Sequence, residues 1–231
     1  MSKSAVSSVI FDWGGTLTPW HTIDVHASWL AATGDDERAR RLHDAELAAW
    51  AVSRDEQKSV TLAEVVTAAG VTPDDAFLQG YHGWWEPHTL IDPEVPALFA
   101  GLRAREIRIG VLSNTLWPRA EHERIFARDD VLAFIDGAVY TSEIARTKPH
   151  PDAFRAALAA VGETDPARAV FVGDRLFDDI HGAKSIGMRA VLVPHSDIPS
   201  EQRGHTDGEP DTVIERLSEL LPIIDEWRAG G

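Results

Sequence analysis

At 231 residues and 44% hydrophobic content, the chain can build one large α/β core, or a core with a small second domain. It has no cysteine, which removes disulfides, thiolate zinc sites and cysteine nucleophiles, and its net charge of −15 includes no Lys/Arg stripe for nucleic acid. The first apolar run, residues 6–11, is too short to cross a bilayer and has no signal-peptide pattern, so no membrane is expected and the cytoplasm is the default location.

Five strands are predicted, at 6–11, 107–112, 135–139, 169–172 and 190–193, alternating with helical patterns. That alternation reads as βαβ units and a doubly wound parallel sheet. Val111-Leu112 and Val170-Phe171-Val172 are short continuous apolar runs, as strands buried on both faces require. The interval between the first two strands is far longer than one crossover and carries three helical patterns. The first centres on Leu42, Ala45 and Ala49. The second runs through Leu62, Val65, Val66 and Ala69 and opens with the capping-box pair Thr61 and Glu64. The third has Phe77, Gly80, Tyr81 and Trp84, with Thr72 as N-cap and Pro73 at the first helical position. The expectation is an all-helical cap at 19–92 inserted into a core made of 1–18 and 93–231. Beyond it, Ala153, Phe154, Ala157, Leu158 and Val161 mark one helix face, and Val213, Ile214, Leu217, Leu220, Leu221 and Ile224 mark another. Residues 196–210 are polar, contain Gly and Pro, and read as a loop.

Chemistry-bearing residues follow the strands. Asp12-Trp13-Gly14-Gly15-Thr16 ends the first, Ser113-Asn114-Thr115 follows the second, and Gly173-Asp174 follows the fourth, leading to Asp178-Asp179. Open α/β sheets bind ligands at these carboxyl ends. Lys148-Pro149-His150-Pro151 opens the helix before the fourth strand; it holds one of only four lysines, with Lys3, Lys58 and Lys184. A carboxylate such as Asp12 can serve as a nucleophile, splitting hydrolysis into two steps.

In order and spacing these four motifs resemble those of the haloacid-dehalogenase (HAD) superfamily over nearly the whole chain. The resemblance implies a Rossmann-like core under a cap and Mg²⁺-dependent hydrolysis of a small phosphorylated metabolite through an aspartyl-phosphate on Asp12. It implies metal ligands at Asp12, the carbonyl of Gly14, Asp174 and Asp179, the last direct or through water. Asp178 is read as the surface neighbour, though the two acids could be exchanged. Ser113 and Lys148 are implied to hold the phosphoryl group. Asn114 is implied to assist in substrate binding, and Thr16 to hydrogen-bond within the first loop.

One position departs from the family pattern, Asp-x-Asp-x-Thr. The second Asp, the usual general acid/base of its phosphatases, is Gly14 here. General acid–base help is typically worth ~10²–10⁴-fold. The substrate could have a good leaving group, or an acid from the cap, such as His21, His82 or His88, could substitute. Another bond could be broken. The phosphonoacetaldehyde hydrolases of this superfamily carry Asp-Trp-Ala-Gly-Thr and use a cap lysine as a Schiff base; the corresponding candidate is Lys58, in a polar stretch that reads as a solvated loop. Haloacid dehalogenation fits less well, since those members carry Tyr at the position of Gly14 and use no metal. A catalytically weak member that binds a phosphorylated ligand or protein is the remaining alternative. The eight tryptophans suit either an apolar pocket or core packing.

Overall fold

The computed structural model describes residues 5–19, 23–194, 196 and 207–230. Its centre is a sheet of six parallel strands in the order β3-β2-β1-β4-β5-β6. The strands are β1 (Ser8–Phe11), β2 (Arg108–Ser113), β3 (Gly137–Tyr140), β4 (Ala169–Gly173), β5 (Arg189–Leu192) and β6 (Thr212–Val213). Side chains alternate between the two faces. Val9, Phe11, Ile109, Val111, Val170 and Val172 enter one apolar cluster, whereas Ile10, Leu112, Phe171 and Ala190 enter the other. The order reverses about β1, so the ends of β1, β2 and β4 lie side by side where doubly wound sheets bind ligands.

Between β1 and β2 lie α1 (Val25–Thr33), α2 (Asp36–Glu56), α3 (Leu62–Ala68) and α4 (Asp75–Trp85), then α5 (Val95–Ala104). Local chemistry starts each of the first four. Asp24, Asp35 and Asp74 accept from backbone N–H groups in the first turns of α1, α2 and α4, and Thr61 with Glu64 forms the expected capping box on α3. Helix α4 therefore begins at Asp75, two residues later than Pro73, because Asp74 supplies the cap. Helix α1 was not apparent from sequence; it is held by α2 and α4 and buries Ser28 and Trp29 rather than a regular apolar stripe. Trp29 stacks on Tyr81 at 4.5 Å and donates its Nε1–H to Glu46 at 2.7 Å.

The inserted helices pack onto the loops that leave β2 and β3. Leu62 N–H donates to Leu116 O at 2.7 Å, Trp117 Nε1–H donates to Tyr81 Oη at 3.0 Å, and Thr147 N–H donates to Gln57 O at 3.2 Å. Insertion residues Trp29, Leu42, Val65, Phe77, Tyr81 and Trp85 share one apolar cluster with the sheet face that carries Val9 and Phe11.

The remaining helices are α6 (Arg119–Arg128), α7 (Pro151–Ala160), the short α8 (Gly182–Ser185) and α9 (Leu220–Ala229). The apolar face predicted at 153–161 is that of α7. The pattern from Val213 to Ile224 is not one helix: Val213 lies in β6 and is 54% exposed, Leu217 begins a 3-10 turn, and α9 starts at Leu220. Two residues of edge strand are too few to give a period of two.

Candidate active site

Two of the three carboxylates of the centre are delivered by the ends of strands. Asp12 follows β1, its N–H donating to Val172 O at 2.9 Å, and Asp174 follows β4. Asp179 arrives from one turn of π-helix, Leu176–His181, and its Oδ2 accepts the backbone N–H of Arg175 at 2.9 Å. One ligand oxygen from each of Asp12, Asp174 and Asp179 lies within 4.8 Å of the others, and all three residues are buried. Glycines make this closeness possible: a Cβ on Gly15 would sit 2.4 Å from Asp174 Oδ2, and one on Gly173 would sit 2.4 Å from Asp179.

Lys148, buried between them, donates from Nζ to Asp12 Oδ1 at 2.5 Å and to Asp179 Oδ1 at 2.6 Å. Burial alone would depress its pKa, but the two carboxylates outweigh it and hold the ammonium above the usual lysine range. Burial pushes Asp12 upward, with Lys148 opposing, and pushes Asp174 well upward. Both carboxylate oxygens of Asp174 are buried and find no hydrogen-bond partner among the described residues. Three close carboxylates with one lysine leave excess negative charge, and an all-oxygen donor set suits a hard divalent cation such as Mg²⁺. The residues present therefore fit the implied metal.

The remaining predicted residues fall as follows. Ser113 ends β2 and is buried beside the centre's strands. Asn114 is committed to Lys148: its Oδ1 accepts the lysine N–H at 2.8 Å and its Nδ2 donates to the lysine carbonyl at 3.1 Å. Thr16 lies buried in the first loop. Its N–H bonds to Trp13 O at 3.3 Å within the loop, but its buried Oγ1 finds no partner among the described residues. Gly14 forms a backbone bridge with Thr18. Asp179, fully buried, joins the cluster, whereas Asp178 pairs with Arg175 at 3.3 Å.

Two of the expected substitute acids lie among the described residues. His82 Nδ1 lies 3.2 Å from Glu121, and His88 packs on Trp84 with ring centroids 4.5 Å apart. His21 lies outside the described residues, as does Trp20. Lys58 is exposed and ion-paired with Glu56 at 2.6 Å, without the burial that activates an amine. The stretch before it is not a loop: α2 continues to Glu56, and Gln57 ends it in the left-handed conformation. Trp13, Trp117 and Trp85 are buried against one another, with centroids 5.7 Å and 5.4 Å apart, and fill the seam between insertion and sheet rather than line an open pocket.

Three residues near the centre went unread in the sequence. Arg175 lies inside the fourth motif, next to Asp174, and its charge acts on Asp12 and Asp174. Ser196 donates to Gly15 O at 2.8 Å across the first loop. His122, fully buried, stacks on Tyr140 at 4.3 Å, meets the edge of Trp13 at 4.5 Å and places Nε2 3.0 Å from Thr115 Oγ1. Position within the motif could have flagged Arg175; nothing local flags the other two.

A doubly wound parallel sheet with a buried carboxylate–lysine centre at its topological switch point defines the class. The chain belongs to the haloacid dehalogenase-like hydrolases, which it matches over residues 6–187. It is 32% identical over 134 residues to the glyceraldehyde 3-phosphate phosphatase of Methanothermobacter thermautotrophicus, covering 57% of this chain and 58% of that protein. It is 32% identical over 133 residues to the phosphoserine phosphatase of Thermus thermophilus, covering 56% and 49%. The chain thus spans about half the length of the curated relatives it matches. Among solved structures, a HAD phosphatase from Thermococcus onnurineus superposes with TM-score 0.67 at 22% identity, over 95% of this chain and 98% of that one. The L-2-haloacid dehalogenase of Xanthobacter autotrophicus gives 0.63 at 20% identity, over 95% and 98%. At such identities the likeness speaks for the fold alone.

Proposed function

We propose that the protein is a phosphatase acting on a small phosphorylated metabolite through an aspartyl-phosphate on Asp12. The observation that carries this reading is the bridge from Lys148 to Asp12 and Asp179 beside the unpartnered carboxylate of Asp174. Lys148 keeps Asp12 oriented and compensates its charge as a second anion approaches. Ser113, at the end of the neighbouring strand, would bind a phosphoryl oxygen. Asp12, Asp174 and Asp179, with the Gly14 carbonyl, would hold Mg²⁺, which when bound neutralises charge shared by nucleophile and phosphoryl group. Asn114 holds the backbone of Lys148 and so fixes where its side chain begins. The phosphatase names of two relatives support the substrate class.

The inserted helices, residues 19–92, act in this reading as a cap over a core of 1–18 and 93–231. Their hydrogen bonds to Leu116 and Thr147, and that of Trp117 to Tyr81, support it. Capping excludes water and sets specificity.

The test is phosphate release from small aryl and acyl phosphates with Mg²⁺, with Asp12→Asn as the comparison. Turnover that Asp12→Asn abolishes is expected. Turnover that survives the substitution, or none in the wild type, overturns the reading.

A further inference from the structure

Breaking the bond between phosphorus and the leaving oxygen puts an electron pair on that oxygen. An alkoxide must be protonated as it departs; an aryl oxide, a carboxylate or a second phosphate need not be. Among the described residues, the titratable side chains at and around the centre are ion-paired, clustered with other carboxylates or enclosed in packing. Lys148 is shared by Asp12 and Asp179, and its ammonium is stabilised there. Asp174 and Asp179 belong to the carboxylate cluster, and Asp178 faces Arg175. His82 faces Glu121, which also takes Arg124. His122 is buried between Tyr140 and Trp13 with Nε2 on Thr115, and burial depresses its pKa to about 3, so it carries no proton to give at neutral pH. Tyr140 is fully buried under that imidazole, with Arg119 over its ring. Gly14, two residues beyond the nucleophile, has no side chain at all.

Resting on the phosphatase reading, we propose that the substrate is an activated phosphoryl compound, an aryl phosphate, acyl phosphate or phosphoanhydride, whose leaving oxygen departs as a stable anion. A carboxylate oxygen of Asp12 bonds to phosphorus while the bond to the leaving oxygen breaks, and that oxygen keeps the electron pair without a proton. Water then attacks phosphorus, the bond to Asp12 breaks, and both water protons leave on dihydrogen phosphate as the carboxylate is restored. The second step also lacks a base at position 14. The aspartyl-phosphate therefore accumulates, and an aryl substrate gives a stoichiometric burst of aryl oxide before the steady state.

The experiment measures kcat/KM with Mg²⁺ for acetyl phosphate, a series of aryl phosphates of rising phenol basicity, and an alkyl phosphate. The expected result is a progressive fall along the series, the alkyl ester being slower than the best aryl ester by at least ~10²-fold. Gly14→Asp is expected to raise the ratio of alkyl to aryl kcat/KM, read within that variant, by about 10²–10⁴-fold. The backbone at Gly14 lies outside the left-handed region, so a side chain there meets no left-handed strain. If that variant fails to fold, the wild-type series decides alone. A flat series that still requires Asp12 means a proton donor operates; it overturns this inference and leaves the phosphatase reading standing. No turnover of any member and no phosphorylation of Asp12 by acetyl phosphate overturns the phosphatase reading, and this inference with it.

Discussion

Asn114 grips Lys148 by both ends of its backbone, accepting from its N–H at 2.8 Å and donating to its carbonyl at 3.1 Å. A residue read from sequence as a substrate contact is thereby tied to the lysine that bridges Asp12 and Asp179. Asn114→Ala removes both bonds. It should cost about 1–3 kcal/mol of stability, since two buried groups lose their partner. Phosphate release should fall mainly through kcat, with KM little changed, because the lysine is misplaced rather than lost. A rise in KM alone, in steady-state kinetics, would assign Asn114 to substrate binding instead.

The unpartnered Asp174 makes metal binding measurable without turnover. Mg²⁺ at a hundredfold its Kd should stabilise the protein by about 2.7 kcal/mol. In a chain of this size that raises Tm by roughly 5–10 °C, and a chelator should reverse it. Asp174→Asn should retain the fold and lose most of the shift. An undiminished shift in that variant places the cation elsewhere.

His122 should make the protein acid-sensitive. Burial, the largest effect, holds its folded pKa near about 3 against an ordinary value of 6.5. Between these values the unfolded chain binds the proton and the folded chain does not, so stability is full above pH 6.5 and falls as pH drops toward 3. The loss can reach roughly 4–5 kcal/mol. His122→Phe keeps the stack on Tyr140 and should flatten the fall in Tm from pH 6.5 to 4. Parallel melting curves for the two proteins would assign the acid sensitivity to other groups.

Gly15 combines a left-handed φ of 99° with a Cβ position 2.4 Å from Asp174 Oδ2. Gly15→Ala should cost about 1–3 kcal/mol through backbone strain and push Asp174 out of the cluster. Mg²⁺-induced stabilisation should weaken with it. Thermal shifts with and without Mg²⁺ separate the two effects: a loss of Tm with an unchanged metal shift would confine the damage to the backbone.

What the sequence by itself determined is the sheet and the residues at its edge. Strands buried on both faces must be short apolar runs, so Val9-Ile10-Phe11 and Val170-Phe171-Val172 announce themselves, and Asp12 and Asp174 directly after them have nowhere to lie but the carboxyl edge. Helix α3 was legible for the same local reason, its cap being written in Thr61 and Glu64.

The tertiary structure decided the rest, because nothing local encodes it. Lys148 meets Asp12 across 136 residues of chain, and only the alignment of β1 with the loop before α7 brings them together. The choice of Asp179 over Asp178 depends on the π-turn that directs one carboxylate inward and leaves the other with Arg175. Helix α1 exists because α2 and α4 enclose Trp29, and β6 because β5 offers it an edge. His82 looks like an available acid in sequence, and only packing sets Glu121 against it.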